Sequence, residues 1–106
     1  MKYIQTLLSE ELADTTKEIV LVGEQRARVK STLYIQVEDA NSLNMTVKGK
    51  MSQTSSDSSL ALVNMNEFVR TTTVTEDGIY MLLSEELYSI TLTATGSADI
   101  TIKSVE

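Results

Sequence analysis

The chain has 106 residues, a size typical of one domain, and we expect residues 1–106 to form a single fold. It contains neither Cys nor His, which removes disulfides, thiolate and imidazole metal ligands and the commonest general base. The formal net charge of −6 disfavours binding to nucleic acid or to an anionic membrane. No apolar run approaches the ~20 residues that span a bilayer, and the first residues do not predict a signal peptide. Composition therefore predicts a non-enzymatic structural or binding domain without a cofactor.

Threonine and serine account for 26 residues, and β-branched Thr favours a half-exposed sheet surface. Apolar residues alternate with polar ones in several segments, as where Leu33, Ile35 and Val37 fall on one face. This period of two is typical of strands with one buried face. The clearest strands are predicted at residues 32–38, 43–48, 88–95 and 98–103. Further strands are predicted at residues 3–8, 18–22, 27–30, 60–65, 67–74 and 78–83.

Short turn signals separate these segments. Residues 39–42 have the length of a hairpin connection between two strands, Gly78 ends a turn, and Gly96 with Ser97 is predicted to close a final hairpin. The small polar residues 52–59 predict a loop. Eight or nine short strands at this spacing predict an all-β fold, an antiparallel β-sandwich of jelly-roll-like form.

A hexapeptide, Leu-Leu-Ser-Glu-Glu-Leu, occurs at residues 7–12 and again at 82–87. Serine followed by two acids favours the start of a helix, because the hydroxyl caps free N–H groups and the acids favour the positive end of the dipole. We therefore predict a single helical turn or a tight corner at residues 84–87 and a short helix in 13–18, which gives at most one or two helical turns. The flanking sequences do not match, which favours similar corners over a duplicated domain.

Few side chains are candidates for chemistry or binding. The acidic pairs at residues 10–11 and 85–86 are interpreted as solvated corner charges, since adjacent side chains point in different directions and do not follow a calcium-loop pattern. The basic cluster at residues 26–30 either meets an acidic partner or is a solvated strand face. Tyr34, Tyr80 and Tyr88 form either a sugar-stacking platform or ordinary caps on the core.

From Thr32 onward the order of features resembles accessory β-sandwich virion proteins of tailed bacteriophages. The resemblance covers about 75 residues and is carried by element order, by Asp-Gly-Ile-Tyr at 77–80 and by Ala-Thr-Gly-Ser at 94–97. The polar loop 52–59 and the Thr-rich run 70–74 precede these two stretches in the same order of features. The chain lacks the Asp-Gly-x-x-Trp loop often found in such domains, which leaves a loop-borne ligand role without support.

The resemblance implies a structural component of a virion that is assembled in the host cytoplasm. The leading hypothesis is a capsid decoration protein that binds the major capsid protein and associates with itself as a trimer. The alternative is a carbohydrate-binding or fibre module of a phage tail or baseplate, using Tyr34 and Tyr80. The sequence does not distinguish a position on the head from one on the tail.

The N-terminal segment 1–8 is the predicted docking strand. It places four apolar residues, Tyr3, Ile4, Leu7 and Leu8, near a chain end, where an exposed strand is able to extend a partner's sheet. The competing interpretation is an ordinary edge strand. No catalytic, cofactor-binding or metal-binding residue is predicted.

Overall fold

A computed structural model describes residues 4–21, 32–83 and 87–105 of the chain. Within these ranges the chain forms seven β-strands and no helix. The strands are β1 (Ile4–Val20), β2 (Thr32–Lys50), β3 (Ser58–Ser59), β4 (Leu62–Asn64), β5 (Val69–Thr71), β6 (Gly78–Leu83) and β7 (Ser89–Val105). Three of them are 17 to 19 residues long, well beyond the usual length of a strand.

All of these strands belong to one antiparallel sheet with the order β1-β7-β2-β6-β4-β5, and β3 pairs with the end of β2. The central strand pairings are the longest, since β7 pairs with β1 on one side and with β2 on the other over almost its whole length. The short strands β6, β4 and β5 extend the sheet beside the first part of β2.

The three long strands bend at the same level of the sheet. Their pairing registers shift at this level, and positive φ angles occur in β1 at Asp14, in β2 at Asp39 and Ser42, and in β7 at Gly96. The Gly96 N–H donates a hydrogen bond to Asp14 Oδ1 at 3.0 Å. A Cβ atom at position 96 would collide with the Ser42 carbonyl oxygen and lie 2.6 Å from that of Asn41, so the close approach of the strands requires glycine.

An ion pair shows how sharp the bend is. Lys17 Nζ lies 3.6 Å from Glu10 Oε1, although a straight strand would separate residues seven apart by about 23 Å. The strand pairings place Glu10 opposite Ile100 and Lys17 opposite Leu92, and both of these partners are buried. The two charged side chains therefore lie on the inner face of β1 and meet across the folded sheet.

The bend divides the sheet into two halves that share one hydrophobic core. Half A comprises residues 4–13 of β1, 32–38 of β2 and 97–105 of β7, together with β4, β5 and β6. Half B comprises residues 15–20 of β1, 44–50 of β2 and 89–95 of β7, together with β3. Leu33 and Ile102 from half A, and Val47 and Leu92 from half B, belong to the same buried cluster. Val74 joins the halves by exchanging backbone hydrogen bonds with Met45 at 2.8 and 2.9 Å.

The predicted hairpins at residues 39–42 and 96–97 are wrong. The segments on either side of residues 39–42 do not pair with each other, because both pair with β7 and form one bent strand. Likewise Gly96 lies within the continuous strand β7. The Ala40 N–H donates to Asp77 Oδ1 at 2.8 Å, so the turn before β6 supports the bulge in β2. Bulges thus stand where the sequence predicted chain reversals.

The predicted helix after the first hexapeptide is also wrong. Residues 7–12 and 13–18 both lie in β1, because cross-strand pairing to β7 and burial of Leu12 and Ile19 outweigh the local capping signal. Residues 84–86 of the second hexapeptide lie outside the described residues, as do the strand predicted at 27–30 and the basic cluster 26–30.

The all-β prediction is confirmed, and the polar segment 52–59 contains only the two-residue strand β3. Within the described ranges the chain forms seven strands, and three of them are long because adjacent predicted strands merge. The hydrogen bonds join the strands into one folded sheet, and the jelly-roll-like sandwich stays a prediction.

Candidate protein-binding surface

The strand β6 is apolar on both of its faces. Its sequence Gly-Ile-Tyr-Met-Leu-Leu buries Tyr80 and Leu82 in the core. On the opposite, outer face Ile79 is 42% exposed and Leu83 is 69% exposed, with Met81 half-buried between them. A strand without polar alternation is typical of a sheet that is covered on both sides.

The neighbouring strands extend this apolar surface. Met81 lies directly opposite Tyr34 of β2 and Val63 of β4, and residues opposite each other in an antiparallel pair point to the same face. Tyr34 and Val63 are half-buried. The resulting surface is called the outer patch and consists of Tyr34, Val63, Ile79, Met81 and Leu83.

Two basic side chains flank the outer patch along one row across the sheet. Lys103 of β7 lies opposite Tyr34, and Arg70 of β5 lies opposite Val63; both are exposed. Four strand spacings separate them, a distance of about 19 Å. We call the row of Lys103, Tyr34, Met81, Val63 and Arg70 the basic-ended row.

The same outer face carries acids nearer to the bend. Glu11, Asp99 and Glu38 lie side by side on β1, β7 and β2, and all three are exposed. We call them the acidic row. It lies four residues along β7 from Lys103, about 13 Å, and direct opposition of like charges destabilises a sheet slightly. The outer face of half A is therefore negative at one end and positive at the other.

The outer face of half B has a different character. Thr16, Thr93 and Thr46 form one row across β1, β7 and β2, and the Thr16 hydroxyl lies 3.5 Å from that of Thr93. Thr91, Thr95, Asn44 and Lys48 occupy the neighbouring outward positions. This surface keeps the polar alternation expected for a face in water.

The hairpin between β4 and β5 presents an exposed aromatic residue outside the outer patch. Phe68 is 77% exposed and has a positive φ of 56°, an uncommon backbone conformation for a bulky residue. Its N–H donates to the Asn64 carbonyl oxygen at 2.7 Å, and the Asn66 N–H donates to Asn64 Oδ1 at 2.9 Å. These hydrogen bonds hold the tip in place with its aromatic ring in solvent.

The structure separates the residues of the predicted docking strand. Ile4 is exposed at the start of β1, whereas Leu7 and Leu8 are buried in the core. Tyr3 lies outside the described residues. Because β1 is at the edge of the sheet, one side of its backbone is open, but a bulge between Thr6 and Leu8 interrupts it. Among the described members of this set, only Ile4 has an exposed apolar side chain.

The structure does not assemble the predicted sugar-stacking platform, since Tyr80 is only 2% exposed and its hydroxyl donates to the Glu76 carbonyl oxygen at 3.0 Å. Burial raises the pKa of Tyr80, and the nearby carboxylates of Glu76, Glu67 and Asp77 raise it further. Tyr34 belongs to the outer patch. The outer patch itself was missed from the sequence, although the unbroken apolar run at 79–83 was the signal for it.

The edge of half B holds a small polar cluster. The buried Ser89 hydroxyl donates to Glu18 Oε2 at 2.9 Å, and Lys50 Nζ lies 3.4 Å from the same oxygen. The Ser89 hydrogen bond lowers the pKa of Glu18, and the Lys50 charge lowers it further. Lys50 Nζ also lies 5.9 Å from the centre of the Tyr88 ring. This cluster joins β1, β2 and β7 at the far end from the outer patch.

In the described ranges 4–21, 32–83 and 87–105, acidic side chains do not form a group of three or more that could hold a metal ion. These ranges also contain no helix long and apolar enough to cross a membrane.

The fold resembles those of two solved bacterial structures, one of them a prophage-derived protein. The chain matches the SPBc2 prophage-derived protein YomS with a TM-score of 0.72 at 13% identity, covering 100% of this chain and 94% of YomS. It matches the PBSX exported protein XepA with a TM-score of 0.69 at 10% identity, covering 100% of this chain and 38% of XepA. No family model and no curated protein sequence matches the chain. At these identities, the likeness defines a shared all-β fold.

Proposed function

We propose that the protein is a non-enzymatic structural component of a bacteriophage virion, and that it is a capsid decoration protein. The observation that carries this proposal is the likeness of the whole chain to 94% of YomS, whose name places it in a prophage. Exposed apolar groups on a rigid all-β frame support it, because such groups mark surfaces that bind other proteins. The partner is the major capsid protein or another virion protein.

We further propose that the protein docks through the end of half A that holds Ile4 and through the hairpin tip at Phe68. Ile4 lies at an open sheet edge, and Phe68 presents a full aromatic ring on a fixed backbone. Aromatic side chains dominate the binding energy of many protein interfaces. Leu7 and Leu8 stabilise the strand from within and do not contact the partner.

Co-sedimentation with capsids of the phage that encodes the chain tests this proposal. We expect the protein to pellet with expanded capsids in a saturable manner, and deletion of residues 1–5 or Phe68→Ala to weaken binding about tenfold or more. Thr93→Ala, on the outer face of half B, is the matched control and should bind normally. Both changes leave the core residues Leu7 and Leu8 in place, so each variant should fold. Circular dichroism checks that it does.

The outcomes separate the two parts of the proposal. Failure of the unmodified protein to bind capsids rejects a decoration role. Binding that survives both the deletion and Phe68→Ala retains that role but rejects the docking site.

A carbohydrate-binding module of a tail or baseplate is the second candidate. A cavity of about 220 Å³ beside Tyr80 favours it, because amide, hydroxyl and carboxylate groups that bind sugar hydroxyls line the cavity. Asn64, Thr75 and Glu67 contribute one group of each kind. A glycan array checks this candidate: signal that is lost in Glu67→Ala supports it, and an array without signal rejects it.

A further inference from the structure

The outer face of half A has the charge pattern of an interface, and its size is moderate. Four strands, β1, β7, β2 and β6, make it about 14 Å wide and about 20 Å long, and the three-residue strands β4 and β5 add about 10 Å of width over about 10 Å of length. This flat footprint of about 400 Å², to which the relief of the side chains adds, is about half of the ~800 Å² per partner of a standard protein interface. The outer patch lies on this face with Ile79 and Leu83 exposed.

We propose that a second copy of the chain covers this face in a two-fold symmetric dimer. The charge pattern of the face favours a second copy as the occupant. The acidic row and the basic-ended row lie on either side of a middle row formed by Thr101, Gln36 and Ile79, which are aligned on β7, β2 and β6. A two-fold axis in the plane of the interface, directed along the middle row, exchanges the two flanking rows.

This axis brings opposite charges together. Lys103 of each copy lies over Asp99 of the other, because the two residues are equally far from the middle row on the same strand. In the same way Tyr34 lies over Glu38, where its hydroxyl donates to a carboxylate, and Ile79 lies near its own symmetry mate. Such self-complementary contacts are typical of two-fold dimers.

The alternative two-fold axis, directed along the strands, places the acidic row of one copy over the acidic row of the other. Glu11, Asp99 and Glu38 would then face the same three carboxylates, which is electrostatically unfavourable. The charges therefore select the antiparallel arrangement. The Thr-rich outer face of half B lies on the opposite side of the molecule and stays in solvent.

Sedimentation equilibrium of the full chain from about 1 to 200 μM tests the inference. The monomer mass is 11.7 kDa, and we expect a concentration-dependent rise to twice this mass. Met81→Glu should abolish the dimer, because it buries an unpaired charge in the interface. Thr93→Glu adds the same charge to the outer face of half B and should leave the dimer unchanged.

A charge exchange tests the arrangement itself. Lys103→Glu alone should weaken dimerisation about tenfold, as should Asp99→Lys alone. The double variant restores opposite charges across the axis and should recover most of the affinity. Recovery supports the antiparallel pairing, and a double variant as weak as the single ones contradicts it.

Other results overturn the inference. A chain that remains monomeric at 200 μM rejects self-association through this face, as does a trimer, the state implied by the resemblance to virion proteins. If Met81→Glu abolishes capsid binding in a chain that is always monomeric, the outer patch belongs to the virion partner. The deletion of residues 1–5 leaves half A's outer patch intact, so failure of the capsid-docking proposal is distinguishable from failure of the dimer.

Discussion

The two outer faces of the folded sheet are built from the same three long strands yet differ in chemistry. In half B, Thr93 and Thr46 each stand between two buried residues, and Thr16 lies beside Thr93 on the edge strand. In half A, the added strands β6 and β4 bring Met81 and Val63 to the surface beside Tyr34. A Thr-rich face is well solvated by water, whereas covering an apolar face with a partner lowers the free energy of the complex. The difference supports the proposal that the interaction surface lies in half A.

The largest expected effect comes from comparing neighbouring leucines on β6. Leu82 is 3% exposed and Leu83 is 69% exposed. Leu82→Ala should lower the free energy of unfolding by about 3 kcal/mol, through lost burial and the cavity left behind. Leu83→Ala should change it by no more than about 0.5 kcal/mol. Urea denaturation measures both values. If the two losses are equal, the outer face of half A is not exposed to solvent as described.

The bend that divides the halves depends on Gly96. Gly96→Ala places a Cβ against the Ser42 carbonyl and imposes a φ of +75° on an L-residue. We expect a loss of about 2 kcal/mol in the free energy of unfolding, measured by the same denaturation. Ala98→Gly, two residues along β7, is a control for a change of one methyl group without a change of backbone strain. A stability unaffected by Gly96→Ala contradicts the close strand approach at the bend.

The Glu10–Lys17 ion pair across the bend contributes less to the free energy of unfolding. Glu10 and Lys17 are each 45% exposed, so their interaction is screened by solvent. A double-mutant cycle with Glu10→Gln and Lys17→Met should give a coupling free energy of about 0.5 kcal/mol that falls with added salt. A straight β1 would separate the two residues by about 23 Å and give no coupling. A coupling free energy of zero at low salt therefore contradicts the bend in β1.

The smallest effect concerns acid stability in half B. The pKa of Glu18 lies below its ordinary value of 4.5, first because of the Ser89 hydrogen bond and then because of Lys50. A pKa that is lower in the folded state adds stability above the unfolded value and loses it as the pH falls through the folded value. The stability difference between the wild type and Glu18→Gln should therefore be present at pH 7 and shrink between pH 5 and 3. Thermal melts over this range measure it, and a difference independent of pH contradicts the assignment.

Much of the local structure was readable from the sequence. The alternation around Leu33 and Ile35, and that around Leu92 and Ile100, identified which residues face the core, because the two-residue period of a strand is a local property. The polar loop before β3 and the strand β6 were also predicted within a few residues. The docking residues were less readable. Leu7 and Ile4 look equally apolar in the sequence, and only the packing of β1 on β7 buries one and exposes the other.

The sequence by itself thus predicted an all-β domain whose strands have one buried face, since these properties follow from residue type and spacing. Tertiary structure decided the rest. Whether residues 39–42 reverse the chain or bend it depends on the partner of each flanking segment, and both segments pair with β7. The outer patch and the charged rows likewise exist only across strands, where residues distant in sequence become neighbours. Strand pairing is a long-range property, and for this reason the proposed interaction surface became visible only in the folded sheet.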